Sequence, residues 1–203
     1  MKIIIATHNK HKLQEMSRIL SPMGYEVVTD LDLGIELSDV EENGETFLDN
    51  ARIKAEAGCK ESGLPCIADD SGLCVDALNG APGVYSARYS GVHGDDDGNN
   101  RKLLSELSGV PTEKRTAHFA CAICVSFPDC SEVTATGKCE GYIGYEKKGT
   151  NGFGYDPLFM VGDRSLAEMT AEEKDAISHR GNALKELQKI LPIVYSGGNY
   201  NDR

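Results

Sequence analysis

Residues 3–12 read Ile3-Ile4-Ile5-Ala6-Thr7-His8-Asn9-Lys10-His11-Lys12, and this stretch indicates the fold class. Its isoleucines lack the alternation of a half-buried strand, so they predict a short strand that is buried on both faces of a sheet. Asn9 is a favourable N-cap, and apolar residues recur at helical spacing from Leu13 to Leu20. The stretch therefore predicts a strand, a polar loop and a helix in succession.

The same alternation continues through the first third of the chain. Residues 26–28 predict a second strand, residues 46 to about 60 a second helix, and residues 66–68 a buried strand that leads into Asp69-Asp70. Strands that alternate with helices indicate an α/β sheet with parallel pairs.

The rest of the chain predicts antiparallel strands and two closing helices. Residues 119–127 and parts of 132–145 alternate between apolar and smaller or polar side chains, which is typical of an antiparallel pair. Thr170 and Glu173 match a capping box that begins a helix, and residues 183–191 predict a closing amphipathic helix.

Composition and charge exclude several classes of protein. The 203 residues are 40% hydrophobic and 26% charged, as in an ordinary globular protein. We expect a cytoplasmic location, because no apolar run is long enough for a signal peptide or a spanning helix and because seven scattered cysteines suit a reducing compartment. The net charge of -11 argues against nucleic-acid and anionic-membrane partners.

The loop after the first strand is a candidate phosphate site. Thr7, Asn9, Lys10 and Lys12 lie at the predicted start of a helix, where free N–H groups and the helix dipole favour an anion. The loop lacks the glycines of a Walker motif, so a solvated helix cap with surface lysines is an equal alternative.

Two acidic groups are candidate magnesium ligands. Asp69-Asp70 follows a predicted central strand, at the end where open α/β sheets bind ligands, and adjacent strand residues point to opposite faces. Glu41-Glu42 precedes the second helix, and carboxylates from two loops suit a hard cation. Acidic turns without a ligand are the alternative for either group.

Two later segments could recognise a planar base. Residues 149–157 combine glycines with Phe153 and Tyr155, either of which could present a ring face to a base, or both could be core aromatics. His179 and Arg180 offer donors suited to a carbonyl oxygen, although a lone histidine on a helix is more often structural.

Cys121 and Cys124 have the spacing of a redox or zinc motif. Residues three apart on a strand face opposite sides, so the two sulfur atoms should not converge on one site.

In their order along the chain, these motifs resemble the inosine triphosphate pyrophosphatase family in its bacterial form. The motifs with the greatest weight are residues 7–12, residues 46–51 with Lys54, residues 67–73, residues 80–89, residues 152–157, and Lys174 with residues 178–181. The family resemblance implies an α/β fold with a long central mixed β-sheet flanked by helices, in two lobes around an active-site cleft. We expect residues 1–192 to form this single two-lobed domain, residues 193–203 to form a polar tail, and the protein to be a homodimer.

The resemblance also implies roles for individual residues. Asp70 is the expected general base, and Glu42 and Asp70 are expected to hold Mg²⁺. The residues expected to bind a purine nucleoside triphosphate are Thr7, His8, Asn9, Lys10, His11, Lys12, Lys54, Ser71, Phe153, Gly154, Tyr155, Asp156, Lys174, His179 and Arg180, the last two reaching the base.

The implied activity is hydrolysis of ITP, dITP and XTP to the monophosphate and pyrophosphate, by attack of a magnesium-activated water on the α-phosphorus. A pyrophosphatase for pyrimidine or modified nucleotides, and a non-catalytic nucleotide-binding module, are alternatives. A third alternative is a cysteine-based metal or redox protein, and this alternative predicts that the purified protein contains zinc.

Overall fold

The computed structural model describes residues 1–197 and, for residues 192–197, the backbone alone. The helices of this range are α1 (Lys10–Leu20), α2 (Asp30–Leu33), α3 (Phe47–Ser62), α4 (Asp96–Glu106), α5 (Ala171–Ile177) and α6 (His179–Gly197). Its strands are β1 (Lys2–Ile5), β2 (Glu26–Val28), β3 (Cys66–Val75), β4 (Thr116–Ser126), β5 (Glu132–Ile143), β6 (Phe159–Val161) and β7 (Arg164–Ser165).

The strands of residues 1–197 form one seven-stranded sheet in the order β2-β1-β3-β4-β5-β6-β7. Strand β1 pairs in parallel with β2 and with β3, whereas β6 pairs antiparallel with β5 and β7. Both orientations occur in the sheet, so the predicted α/β class with a mixed sheet and flanking helices is confirmed.

The chain divides into two compact units. The first contains Met1–Asp70, Ala122–Gly137 and the chain from Arg180, and the second contains Ser71–Cys121 and Lys138–His179. Helix α6 continues through Gly197, past the predicted start of the tail at residue 193. Residues 198–203 of that predicted tail lie outside the described residues.

Side-chain caps determine where the helices of the first unit begin. The Asn9 side chain accepts hydrogen bonds from the N–H groups of His11 (2.9 Å) and Lys12 (3.2 Å), which confirms the predicted start of α1. Thr46 and Asp49 form a reciprocal capping box at the start of α3. These local bonds satisfy N–H groups that have no partner within the helix.

Helix α3 packs very closely against β3. A Cβ atom placed on Gly58 would lie 2.6 Å from the Cys66 Sγ, so only glycine allows the helix this close to the strand. Gly58 lowers the intrinsic helix propensity of α3, but it allows the helix to pack closely against the strand.

The second unit has its own apolar core, which includes Leu73, Phe119, Ile143, Tyr155 and Phe159. Arg115 is also buried there, and its guanidinium donates to the carbonyl oxygens of Ile143 (2.7 Å), Leu107 (2.9 Å) and Gly144 (2.8 Å). A buried arginine thus satisfies main-chain oxygens, a role that its sequence position does not indicate.

Helix α5 is capped at its start by Glu173 as well as by Thr170. The Glu173 carboxylate accepts two hydrogen bonds from Arg164 (3.1 and 2.9 Å) and one from the Thr170 N–H (2.8 Å). The bond from Arg164, and then that from Thr170, lower the pKa of Glu173 from 4.5 to about 2.

The lowered pKa of Glu173 predicts a pH-dependent contribution to stability. The folded pKa is below the unfolded value, so the contribution is complete above pH 4.5 and disappears as the pH falls toward 2. The Tm of Glu173→Gln should therefore lie below the wild-type Tm at pH 6 and approach the wild-type Tm as the pH falls toward 2. A Tm difference that is constant over this range would contradict the assignment.

No helix of the described residues is both long enough and apolar enough to cross a membrane. The cysteines of residues 1–197 are free thiols, and all except Cys74 and Cys130 are buried. The buried cysteines therefore pack as small apolar side chains.

Candidate active site

The parallel pairing of β1 and β3 brings two polar segments to the same edge of the sheet. Ile5 is opposite Ile67, and the Ala6 N–H donates to the Ile67 carbonyl oxygen at 2.9 Å. Asp69-Asp70 lies within β3 and not after its end as predicted, because the strand continues to Val75. The loop of residues 7–12, at the carboxyl end of β1, therefore lies beside this pair in the first unit. This is the edge at which open α/β sheets bind ligands.

Asp69 is fully buried and is held by two cations. Its Oδ2 atom accepts hydrogen bonds from Arg180 Nη2 (2.8 Å) and Nε (3.2 Å) and lies 3.2 Å from Lys12 Nζ. Burial disfavours the charged form, but Arg180, Lys12 and Lys54 together lower the pKa of Asp69 well below its usual value. Asp69 is therefore a buried anion at neutral pH.

Glu15 completes this ion-pair network. It is a buried residue of α1 whose carboxylate accepts a hydrogen bond from Arg180 Nη1. The sequence did not indicate Glu15, because it lies outside the apolar stripe of α1 and its partner is far along the chain. Arg180 thus contacts carboxylates on both sides, and its predicted contact with a base stays a prediction.

Asp70 has different partners from its neighbour, as the alternation of a strand requires. Its Oδ2 atom accepts a hydrogen bond from Asn50 Nδ2 at 3.0 Å, and Oδ1 lies 3.9 Å from Lys54 Nζ. Burial raises the pKa of Asp70, and Lys54, Lys12 and the bond from Asn50 oppose the rise only in part. A buried carboxylate with a raised pKa is the state expected of a proton acceptor.

Glu42 joins the same group of side chains through Lys54, whose ammonium lies 3.1 Å from Glu42 Oε2. One lysine therefore lies near both carboxylates predicted to hold Mg²⁺. Among the described residues, no three or more histidine, cysteine, aspartate or glutamate side chains form a metal site. Two carboxylates are nevertheless enough for Mg²⁺, which keeps several waters and takes substrate phosphates as its other ligands.

The charges of this group also fit a cation. Its side chains are Lys12, Lys54, Arg180, Glu15, Glu42, Asp69 and Asp70. With every group ionised, carboxylates outnumber cations by one. A divalent cation with an anionic substrate would therefore meet a site that is already close to neutral.

The predicted phosphate loop is polar and mostly exposed. His8, Asn9, Lys10 and His11 are exposed, whereas the Lys12 side chain is 15% exposed and extends to Asp69. Because Asn9 already occupies two N–H groups of the first turn, the lysine side chains are the stronger candidates for phosphate contact.

In the second unit, Lys174 and Asp156 form a buried ion pair beside Phe153. The Lys174 Nζ to Asp156 Oδ2 distance is 2.6 Å, and Nζ lies 4.9 Å from the centroid of the Phe153 ring. Asp156 also accepts a hydrogen bond from the Phe153 N–H at 2.9 Å. The Phe153 main chain is thereby held, its ring lies beside the ammonium, and the residue remains partly exposed.

The other residues of this unit that were predicted to bind the nucleotide differ in how exposed they are. Tyr155 is buried in the core, and its hydroxyl donates a hydrogen bond to the Ser86 carbonyl oxygen at 2.9 Å. This matches the alternative prediction that the aromatic residue belongs to the core. His179 is buried and stacks on Phe119, with ring centroids 4.7 Å apart. Gly154 and Ser71 are partly exposed.

The fold and these side chains together define an α/β protein with lysines and carboxylates at the end of β1 and in the adjoining part of β3, suited to a phosphate ligand and a divalent cation. The chain belongs to the Ham1 family, whose sequence model matches residues 3–190.

Similar proteins agree over almost the whole chain. The dITP/XTP pyrophosphatase of Bacillus subtilis is 51% identical over 190 residues, 93% of this chain and 96% of that protein. The Haemophilus influenzae dITP/XTP pyrophosphatase is 50% identical over 194 residues, with coverage of 94% and 98%. The solved structure of the Staphylococcus aureus Ham1 protein superposes with a TM-score of 0.83 at 43% identity, covering 95% of this chain and 98% of that one.

Proposed function

We propose that this chain hydrolyses the triphosphates of non-standard purine nucleosides (ITP, dITP and XTP) to the monophosphate and pyrophosphate. The observation that carries the proposal is the grouping of Lys12, Lys54, Glu42 and Asp70 in the first unit. The chain is about half identical to named dITP/XTP pyrophosphatases along nearly its full length, which supports the same substrate class.

Glu42 and Asp70 are the proposed ligands of Mg²⁺. When bound, the metal neutralises phosphate charge and makes a water molecule more acidic. Lys54, whose ammonium lies near both carboxylates, would contact the substrate phosphates.

The side chains of the first unit carry the proposed chemistry. Asp70 takes the proton of the water that attacks the α-phosphorus, because it is a buried carboxylate with a raised pKa. The loop of residues 7–12, through Lys10 and Lys12 above all, binds the triphosphate and stabilises charge on the departing pyrophosphate. Asp69 and Glu15 keep the neighbouring cations in place without contacting the substrate.

In the second unit we propose that Ser71, Phe153, Gly154, Asp156, Lys174 and His179 contact the nucleotide. Phe153 is partly exposed and its ring lies beside the Lys174 ammonium, which suits stacking on a base. Tyr155 is left out of the proposal, because its ring lies in the core and its hydroxyl is bonded to Ser86.

The setting of the reaction is also proposed. Non-standard nucleotides belong to the cytoplasmic nucleotide pool, and free cysteines within the described range suit that reducing compartment. We propose a homodimer there, which sedimentation equilibrium would test directly.

Pyrophosphate release tests the proposed function. Purified protein with Mg²⁺ is given ITP, dITP, XTP, ATP, GTP and a pyrimidine triphosphate in parallel. We expect release from the first three in preference to the others, loss of release in excess chelator, and recovery when Mg²⁺ is restored.

Each contrary result identifies a different alternative. Preference for the pyrimidine nucleotide would replace the substrate class, and nucleotide binding without pyrophosphate release would indicate a binding module. Full activity in excess chelator would remove the metal from the mechanism. Stoichiometric zinc in the purified protein would favour the cysteine-based alternative.

A further inference from the structure

Asn50 is a buried side chain with two well-defined partners in the first unit. It is 1% exposed, and its amide donates to Asp70 Oδ2 at 3.0 Å. Its carbonyl oxygen accepts a hydrogen bond from the Gly44 N–H at 2.8 Å. One side chain thus connects the proposed general base with the segment that contains Glu42.

The orientation of this amide follows from its partners. A backbone N–H can only donate, so the atom facing Gly44 must be the Asn50 oxygen and the atom facing Asp70 must be the nitrogen. The Asn50 amide nitrogen therefore donates to Asp70 Oδ2, while the other carboxylate oxygen of Asp70, Oδ1, faces Lys54.

Gly44 provides independent evidence that this contact is built into the fold. A Cβ atom there would lie 2.7 Å from Asn50 Oδ1 and 2.6 Å from the Asp49 Cβ, so any larger residue would push the segment away from α3. One turn along α3, Lys54 contacts Glu42 and Asp70 as well. Residues four apart share a helix face, so α3 holds both carboxylate positions from one surface.

We propose that Asn50 is a positioning residue for this reaction, which holds Asp70 and the Glu42 segment at the separation at which both carboxylates meet one divalent cation. The inference rests on the proposed function. Asn50 acts through Asp70 and Gly44 and does not itself contact the substrate. Groups that orient metal ligands in this way typically change metal affinity or activity by about 10–100-fold when removed.

Two substitutions at Asn50 separate its two bonds. Asn50→Ala removes both, whereas Asn50→Asp keeps an acceptor for Gly44 but loses the donor to Asp70. We expect kcat for dITP to fall about 10–100-fold in both variants, with KM changed by less than about threefold. The Mg²⁺ concentration for half-maximal activity should rise about tenfold in Asn50→Ala alone, because the added carboxylate of Asn50→Asp attracts the cation.

Asn99 provides the matched control in the second unit. It is 2% exposed, accepts a hydrogen bond from the Ser90 N–H at 2.7 Å and donates to the Ala87 carbonyl oxygen at 3.3 Å. Asn99→Ala therefore also removes a buried amide with two partners. It should keep the wild-type kcat and Mg²⁺ requirement.

Mn²⁺ binding without nucleotide, followed by electron paramagnetic resonance, gives a readout that is independent of turnover. Binding should weaken about tenfold in Asn50→Ala and stay unchanged in Asn99→Ala. Wild-type kcat together with wild-type Mn²⁺ affinity in folded Asn50→Ala would overturn the proposal.

Gly44→Ala keeps the proposal falsifiable if Asn50→Ala does not fold. It displaces the same segment without changing Asn50 or Asp70, so its Mg²⁺ requirement should also rise. An unchanged requirement in folded Gly44→Ala, or an unchanged kcat in Asn50→Asp, would contradict the inference. If wild-type protein releases no pyrophosphate from any nucleotide, the proposed function fails, and Mn²⁺ binding still decides the role of Asn50.

Discussion

Asp70→Asn should lower kcat for dITP by about 10²–10⁴, the contribution expected of a general base. Asparagine has the size of aspartate but can neither accept the proton of the attacking water nor supply an anionic metal ligand. The free energy of unfolding should not fall, because the variant no longer buries a carboxylate whose pKa is raised by desolvation. Steady-state kinetics and urea unfolding of the same preparation separate these two effects.

Glu41→Gln is the control for this experiment. Glu41 is an exposed neighbour of Glu42, so the substitution removes one negative charge from the same segment without removing a proposed ligand. It should keep kcat close to the wild-type value. If Asp70→Asn also keeps it, Asp70 is not the base.

Arg180→Met should lower the free energy of unfolding by about 3–5 kcal/mol. Methionine keeps much of the side-chain volume, but Glu15 loses its Arg180 contact and Asp69 loses its Arg180 hydrogen bonds, keeping Lys12 as a partner. Both carboxylates are buried, so the cost of leaving buried charges without this partner dominates. Urea unfolding at neutral pH measures the effect.

Arg164→Met makes the same substitution at an exposed ion pair. Arg164 and Glu173 pair at 2.9 Å, but their side chains are 48% and 46% exposed. Water screens such a pair, so the loss should be much smaller than that of Arg180→Met. Equal losses in the two variants would show that burial does not set the value of the Arg180 contacts.

The Arg180 variant also addresses substrate choice. If Arg180 only holds Glu15 and Asp69, hydrolysis of ITP and ATP should change in the same proportion. A selective loss on ITP in a protein of wild-type stability would favour the base contact that the sequence predicted. The same preparation can be used for both measurements.

Local signals explain which parts of the fold could be predicted. The start of α1 at Asn9 and of α5 at Thr170 depend on bonds between residues two or three apart, and the sequence contains both partners side by side. Strands β6 and β7 and helix α2 are too short to show a period. The start of helix α4 at Asp96 shows no apolar period either, because polar residues form its first turn.

The partners within the site could not be predicted in the same way. Asp70 and Glu42 were indicated by local acidic clusters, but the network of Arg180 with Glu15 and Asp69 joins residues more than a hundred positions apart. No local pattern encodes such a pairing. Asn50 was hidden for a related reason, because an asparagine inside a helix resembles any surface polar residue until its contacts are known.

The close packing at Gly58 restricts how this protein could be engineered or could evolve. Alanine in place of a helical glycine ordinarily adds about 1 kcal/mol of stability, but here the new methyl group would collide with the Cys66 sulfur. Cys66→Ala alone would leave a small void beside the helix. The methyl group of Gly58→Ala can take the space of the Cys66 sulfur only when both residues change. A search that accepts one stabilising substitution at a time would therefore miss the pair.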